Sequence, residues 1–261
     1  MPSTADRARE TGSRGEGGDR TLEIDAAAER AVFRRLELLH AQGHRFAAIS
    51  EERGHVDFDA DPADPVLVVI DPLDGSKNAK RGLPHHALSI AVADGGTMAD
   101  VAFAFVHDFG AEEEWVARRG EGAAVNGRPL DPEAAERRVR GKLELVGVES
   151  ADPVWVRDSA DALAASAHRL RALGAIAVSL CQVAAARLDG MVTLRRSRAV
   201  DVAAGQLIVR EAGGVVVFTA CEDPLGAPLE VMGPVSPVVA ARSPEAAREL
   251  AAIPRADADR G

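Results

Sequence analysis

Residues 66–78 read VLVVIDPLDGSKN, and this stretch decides the fold. Its first five residues are apolar and mostly β-branched, which predicts a strand covered on both faces. Asp71 and Pro72 end that strand. Loops at the carboxyl ends of strands in an α/β sheet usually form the binding site. We therefore expect the functional site to begin at Asp71.

The patterns on both sides of this strand predict a mixed α/β chain. Strands at residues 87–93, 101–107 and 114–118 follow one another through turns, so this part of the sheet is antiparallel. An amphipathic helix is predicted at residues 24–42, where apolar residues recur at helical spacing. The second half alternates, with strands at residues 143–148, 190–194, 215–219 and 238–241 and helices at residues 161–172, 177–186, 200–211 and 244–252.

The length of 261 residues fits one large domain or two closely packed halves. Residues 1–20 are rich in Gly, Arg, Glu and Ser without an apolar period, which predicts a mobile N-terminal arm. Charged residues around Asp131 interrupt the pattern and put a soft boundary near residues 131–141. The predicted halves are residues 21–135, which carry metal-site motifs, and residues 136–261, which complete the site and the substrate pocket.

Composition excludes several classes of function. The formal net charge of −10 repels a polyphosphate backbone, so we expect no nucleic-acid partner. No long apolar span appears, so we expect no membrane partner. Two cysteines are too few for a disulfide framework, which favours the reducing cytoplasm. An acidic protein can still bind a phosphate ester if metal ions reverse the charge locally.

The hexamer at residues 71–76 has the residue types of a cation site. The carboxylates of Asp71 and Asp74 and a main-chain carbonyl can converge there on a hard cation, which takes oxygen ligands. Pro72 fixes the turn, and Gly75 lets backbone amides approach an anion. The alternative is a turn whose aspartates only cap a helix, and the hexamer alone leaves both open.

Four ordered motifs resemble those of the inositol monophosphatase family. DPLDGSKN at residues 71–78 looks like its first signature, and VDVAAG with IVREAGG within residues 200–214 looks like its second. ISEERG at residues 49–54 is similar to the family's acidic pair, and Thr21 with Asp25 and Glu29 is similar to its first conserved helix. The wording of residues 198–214 looks closest to archaeal and bacterial enzymes that act on inositol phosphates and on fructose 1,6-bisphosphate.

The resemblance implies a fold and a metal centre. The fold is a five-layered α-β-α-β-α sandwich of the inositol monophosphatase and fructose-1,6-bisphosphatase type. Two Mg²⁺ ions are implied: Glu51, Asp71 and the carbonyl of Leu73 hold one, and Asp71, Asp74 and Asp201 hold the other. A third, weaker ion near Glu52 is a further expectation, with a solvated surface glutamate as the alternative.

The resemblance also implies catalytic and substrate-binding roles. Asp25 and Ser76 orient and deprotonate the attacking water, with Glu51 beside them as a metal ligand. Asp74 and the backbone amides of Gly75 and Ser76 contact the phosphate. Arg171, Ile176 and Arg195 fall where related enzymes line the pocket for the alcohol or the second phosphate, although arginines on helix or strand ends are usually solvated.

The predicted function is hydrolysis of a small sugar or polyol phosphate, inositol monophosphate or fructose 1,6-bisphosphate, by metal-activated water. The alternatives are a 3′-phosphoadenosine 5′-phosphate phosphatase and a non-catalytic relative that binds metal and phosphate. Thr193 replaces an acidic residue that commonly contacts inositol hydroxyls, which weakens the inositol assignment. His85 and His86 are predicted to be structural, because Mg²⁺ prefers oxygen ligands. The family default is a homodimer.

Overall fold

The structure is a computed structural model and describes residues 10–14 and 20–253. Near its start, strands β1 (Glu10–Arg14) and β2 (Arg20–Leu22) pair antiparallel. The sequence pattern does not predict this pair. The rest of the predicted arm, residues 1–9 and 15–19, lies outside the described residues.

The first of two large sheets contains the strand from which the prediction started. Its members are β3 (Phe46–Ser50), β4 (Gly54–Phe58), β5 (Leu67–Asp74), β6 (Ala87–Ala93), β7 (Val101–Asp108), β8 (Glu113–Arg118), β9 (Gly122–Val125) and β10 (Arg128–Pro129). They lie in the order β10-β9-β8-β7-β6-β5-β3-β4. All of β5 is buried, which confirms the prediction of a strand covered on both faces. Strand β5 runs parallel to β3 and antiparallel to β6.

The second sheet is mixed as well. Its strands are β11 (Arg138–Val139), β12 (Lys142–Glu149), β13 (Ala167–Arg171), β14 (Gly190–Thr193), β15 (Val215–Phe218) and β16 (Val238–Ala241). The order is β11-β12-β14-β16-β15, and β13 also pairs with β12. Strand β12 is parallel to both β13 and β14, so the carboxyl ends of these strands lie at one edge.

The helices form three layers around these sheets. They are α1 (Glu23–Ala41), α2 (Ser76–Arg81), α3 (Pro153–Asp158), α4 (Ala160–Ser166), α5 (Ile176–Ala184), α6 (Ala199–Glu211) and α7 (Pro244–Ala251). Side chains of α5 and α6 share one core with inner faces of both sheets. Helix α1 covers the outer face of the first sheet, and α4 and α7 cover that of the second. This arrangement confirms the predicted α-β-α-β-α sandwich.

Strand β5 shows how alternation builds these layers. Val68 and Ile70 pack with Phe33 of α1, whereas Leu67 and Val69 face the helices between the sheets. Successive side chains of a strand point to opposite faces, so one apolar run serves two layers.

The helix predicted at residues 161–172 is wrong in its second half. Helix α4 ends at Ser166, and Ala167–Arg171 forms strand β13 instead. Ala and Arg favour helices, but pairing with β12 covers a backbone edge that would otherwise lack partners. Only Ala167 of β13 is buried, so its side chains carry little strand pattern.

Part of the outer face of the first sheet is open beside α1. A groove of about 1090 Å³ lies there, lined mainly by apolar side chains that include Leu88, Ile90 and Val92. No helix in residues 20–253 combines the length and the apolar character needed to cross a bilayer.

Candidate metal centre

Three carboxylates from distant parts of the chain meet at one end of the first sheet. Oxygen atoms of Glu51, Asp71 and Asp201 all lie within 4.8 Å of one another. Ser50 and Ile70 are paired on the parallel strands β3 and β5, so the next residue of each chain segment, Glu51 or Asp71, leaves the same edge. Helix α6, whose third residue is Asp201, packs against β5.

Burial makes this group of carboxylates costly without a cation. Asp71 is 2% exposed, and burial, followed by the charges of Glu51 and Asp74, raises its pKa well above the usual range. Burial also raises the pKa of Glu51 to about 7. Like charges that share a buried site disfavour ionisation, and a cation between them restores it.

Arg198 supplies positive charge to two members of this cluster. Its guanidinium Nη1 lies 2.5 Å from Oε1 of Glu51, and its Nη2 lies 3.0 Å from Oδ1 of Asp201. The backbone N–H of Arg198 also donates to Oδ2 of Asp201, at 3.2 Å. Asp201 therefore stabilises the start of α6 by accepting from the chain just before it.

Asp74 does not join the group of three but lies at the start of another helix. Its Oδ2 accepts the backbone N–H of Ala177 in α5 at 2.7 Å. Burial raises the pKa of Asp74 well above the usual range, and the charge of Asp201 adds to this. Amides of Ile176 and Ala177 act in the opposite direction, because hydrogen bonds to the ionised form favour it. Asp74 thus caps α5 from outside that helix.

The turn between β5 and α2 is held by its own polar groups. The amide of Leu73 donates to Oδ1 of Asp71 at 2.9 Å, and the hydroxyl of Ser76 donates to the carbonyl of Leu73 at 3.0 Å. Gly75 has φ +81°, and a Cβ there would lie 2.7 Å from the carbonyl oxygen of His85. Both the backbone conformation and the space therefore require glycine.

A sequence model of the inositol monophosphatase family matches residues 3–257. The chain belongs to this family. Membership places it among the phosphoric monoester hydrolases.

Proteins of similar sequence and fold agree with the family assignment. A fructose-1,6-bisphosphatase/inositol-1-monophosphatase of Thermococcus kodakarensis is 36% identical over 200 residues, covering 76% of this chain and 70% of that protein. The Nus factor SuhB of Pseudomonas aeruginosa is 35% identical over 209 residues, with 76% and 72% covered. A solved structure from Pyrococcus horikoshii, described as similar to inositol-1 monophosphatase, has a TM-score of 0.73 at 26% identity and covers 96% of this chain and 90% of its own.

The donor set of this family member fits a hard divalent cation. All three ligand groups of the cluster are carboxylates, and oxygen donors suit Mg²⁺, Ca²⁺ or Mn²⁺ better than softer metals. The buried negative charge provides the attraction.

The buried carboxylate of Glu149 fixes the loop at residues 173–175, which lies beside the turn at Gly75. Glu149 accepts the amides of Leu173 and Gly174 at 3.0 Å each and the hydroxyl of Ser179 at 2.6 Å. The side chain of Asn78 donates to the carbonyl of Leu173 at 2.8 Å. Loop 173–175 is thereby fixed against α2, and burial raises the pKa of Glu149 to about 7.

Asp25 and its helix lie behind the turn. Asp25 is 7% exposed in the first turn of α1, which contacts α2 and therefore the helix of Ser76. One turn later, Glu29 accepts the hydroxyl of Ser50 at 2.6 Å, which joins α1 to the end of β3. Glu52 is half-buried next to Glu51.

The predicted substrate contacts are divided. Ile176 begins α5 and lies next to the capped amide of Ala177, close to Asp74. Arg171 ends the edge strand β13 and is exposed, and Arg195 is exposed with its guanidinium 5.3 Å from the ring centre of Trp155. No described contact joins either arginine to the carboxylate cluster. Both therefore stay predictions for a substrate that extends beyond the phosphate.

Several polar residues are satisfied by the fold rather than presented to a ligand. Thr193 is fully buried and donates to the carbonyl of Arg195 while it accepts the amide of Val238. The carbonyl of His85 accepts from Asn78, and His86 stacks on Phe109 with ring centres 5.7 Å apart.

Sequence reasoning missed Arg198 and Glu149 as parts of this site. Arg198 stands three residues before Asp201, a spacing at which helical side chains interact, so a pair with that aspartate was foreseeable. Its contact with Glu51 joins residues 147 positions apart, and no local sequence pattern predicts it. Glu149 ends a strand of the second sheet, and a carboxylate at such an end is a general signal for a site.

Proposed function

We propose that the chain is a Mg²⁺-dependent phosphatase that hydrolyses small sugar or polyol phosphates. The observation that carries the proposal is the convergence of Glu51, Asp71 and Asp201 in a buried group with only oxygen donors. Two Mg²⁺ ions, with a third near Glu52, are proposed from the family resemblance. When bound, such ions neutralise the ester's charge and activate water.

The chain's own residues position the reactants in this proposal. Gly75 has no side chain to block the approach of an anion to the turn, and Ser76 keeps a hydroxyl beside the carbonyl of Leu73. Asp25 and Ser76 are proposed to orient the attacking water and to accept its proton. Asp74, anchored to the amide of Ala177, keeps α5 and Ile176 against the phosphate position.

The proposed substrate class is set by relatives and by one replacement. Curated relatives at 34–36% identity are named for both fructose 1,6-bisphosphate and inositol 1-monophosphate. Because the hydroxyl of Thr193 is occupied by backbone partners, it offers no group to inositol hydroxyls. We therefore rank fructose 1,6-bisphosphate first, with Arg171 and Arg195 as candidates for its second phosphate. The alternative substrate, 3′-phosphoadenosine 5′-phosphate, belongs in the same substrate panel.

A binding role without turnover is the second candidate function. Several relatives near 35% identity are named Nus factor SuhB, so members of this similarity are known by a name other than phosphatase. The complete set of Asp25, Glu51, Asp71, Ser76 and Asp201 supports turnover. The net charge of −10 supports a small anionic ester reached through cations rather than a nucleic acid.

Assembly and location complete the proposal. We propose a homodimer in the reducing cytoplasm with no membrane partner. Cys181 and Cys221 are both free, as expected for thiols kept reduced. Light scattering of the purified protein tests the dimer, and a monomer at micromolar concentration would reject it.

The test is phosphate release from p-nitrophenyl phosphate with Mg²⁺ and with a chelator. We expect release only with Mg²⁺, and we expect Asp71→Asn to abolish it. Asp94→Asn is the matched control, because Asp94 is exposed and pairs with Arg119 on the surface. Activity that persists with the chelator, or no activity under any metal condition, would reject the proposal. Fructose 1,6-bisphosphate, inositol 1-phosphate and 3′-phosphoadenosine 5′-phosphate then rank the substrates.

A further inference from the structure

The side chain of Arg198 bridges two members of the carboxylate cluster, Glu51 and Asp201, which are far apart in the sequence. Its side chain is 20% exposed, and the side chains that it contacts, Glu51 and Asp201, are 14% and 11% exposed. Within residues 10–14 and 20–253, no other basic side chain pairs with Glu51 or Asp201. One guanidinium therefore balances two of the three carboxylates that form the cluster.

The two contacts of Arg198 differ in strength. Asp201 accepts three hydrogen bonds from Arg198, which lies three positions before it: from Nε at 3.3 Å, from Nη2 at 3.0 Å and from the backbone N–H at 3.2 Å. Glu51 accepts one described hydrogen bond from Arg198, from Nη1, and the two residues are 147 positions apart in the sequence. The fork geometry of arginine permits both contacts at once, but the Asp201 contact is local and has several bonds. The Glu51 contact is the one that can be exchanged.

We propose that Arg198 is the resident counter-ion of the cluster, holding Glu51 and Asp201 together without metal and yielding Glu51 when a divalent cation binds. This inference rests on the proposed metal site. A metal ion shared by these carboxylates competes with Nη1 of Arg198 for the carboxylate of Glu51. The metal ion is also repelled by the guanidinium of Arg198, which stays bound to Asp201. Arg198 thus stabilises the fold at the cluster and weakens its affinity for metal.

The test is the thermal unfolding midpoint as a function of Mg²⁺ concentration for the wild type, Arg198→Gln and Arg198→Lys. Arg198→Gln removes the charge, so its midpoint without metal should fall, and its half-saturating Mg²⁺ concentration should fall about tenfold. Excess Mg²⁺ should then recover most of the lost midpoint. Arg198→Lys keeps the charge but lacks the fork, so its half-saturating concentration should lie between the other two.

Arg187→Gln is the matched control. Arg187 pairs with Glu113 through two contacts of 2.8 Å, away from the cluster residues. Its loss should lower the unfolding midpoint by the same amount at every Mg²⁺ concentration.

The outcomes separate this inference from the proposed function. A half-saturating Mg²⁺ concentration that is unchanged or higher in Arg198→Gln overturns the inference while leaving the metal site in place. If Arg198→Gln does not fold without metal, the comparison of Arg198→Lys with the wild type decides, and equal Mg²⁺ dependence overturns the inference. If Mg²⁺ shifts no variant and not the wild type, the metal site and the inference both fail.

Discussion

The single buried carboxylate of Glu149 and the cluster of Glu51, Asp71 and Asp201 differ in their partners. Glu149 accepts three neutral donors, two amides and a hydroxyl. In the cluster, by contrast, Asp71 accepts one amide, and within the described part of the chain the charges of Glu51 and Asp201 are balanced by the guanidinium of Arg198 alone.

This difference separates a carboxylate that holds the structure from carboxylates that can bind an ion. A buried carboxylate whose oxygens already accept hydrogen bonds from fixed donors attracts a cation weakly. Several carboxylates that lie close together and accept few hydrogen bonds attract a cation strongly. Glu149 is therefore a positioning residue for loop 173–175, whereas Glu51, Asp71 and Asp201 form the proposed metal centre.

The largest expected effect comes from Asp71→Asn. The substitution keeps an oxygen for the Leu73 amide but removes a charge from the centre of the cluster. We expect phosphate release to fall by about 10³-fold or more, because the cation and the developing charge both lose stabilisation. The metal-free protein should become more stable, since less like charge is buried. Release within tenfold of the wild type would remove Asp71 from the centre.

Glu149→Gln should cost stability rather than metal binding. A glutamine offers one oxygen and one NH₂, so its NH₂ would face a backbone amide that now donates to carboxylate. We expect a loss of roughly 2–4 kcal/mol in the free energy of unfolding, and about 1 kcal/mol for the control Ser179→Ala. Urea unfolding measures both. A changed half-saturating Mg²⁺ concentration in Glu149→Gln would contradict the division between the two groups.

The pH dependence of stability sharpens the same point. Burial raises the pKa of Glu149 from 4.5 to about 7. Between these values the folded protein holds more protons than the unfolded chain, so this residue's contribution falls as pH rises through that window. The wild type should therefore lose on the order of 2 kcal/mol relative to Glu149→Gln between about pH 4.5 and pH 7. A difference that is constant with pH, measured by urea unfolding at several pH values, would contradict the raised pKa.

The smallest expected effect is that of Arg195→Ala. Arg195 is exposed and stacks on Trp155, so its loss should scarcely change stability. If it contacts the second phosphate, KM for fructose 1,6-bisphosphate should rise about three- to tenfold, as for one exposed ion pair of roughly 1 kcal/mol. KM for p-nitrophenyl phosphate should stay the same. Arg196→Ala, its exposed neighbour, is the control, and equal kinetics for both variants would reject the role.

Local pattern was enough to predict the strands and turns around Asp71. The apolar run before it and the glycine after it are local signals, and β6 and β16 appear at the predicted residues. Residues 167–171 were mispredicted because pairing with β12, a contact distant in sequence, outweighed helix propensity.

The site was predicted one acid at a time, and its charge balance was not. Family motifs pointed to Glu51, Asp71, Asp74 and Asp201 individually. Which of them would share an ion depended on β3 lying beside β5 and on the direction of α6. The links made by Arg198 and Glu149 depend on the packed helices and loops, so no local pattern could reveal them.

Calorimetric titration of Mg²⁺ into the wild type, Asp201→Asn and Asp94→Asn, each with and without inorganic phosphate, tests the central claim most directly. The account predicts binding to the wild type and to Asp94→Asn that phosphate strengthens, and at least tenfold weaker binding to Asp201→Asn. Equal Mg²⁺ binding by all three proteins would contradict the claim that Glu51, Asp71 and Asp201 form one metal centre.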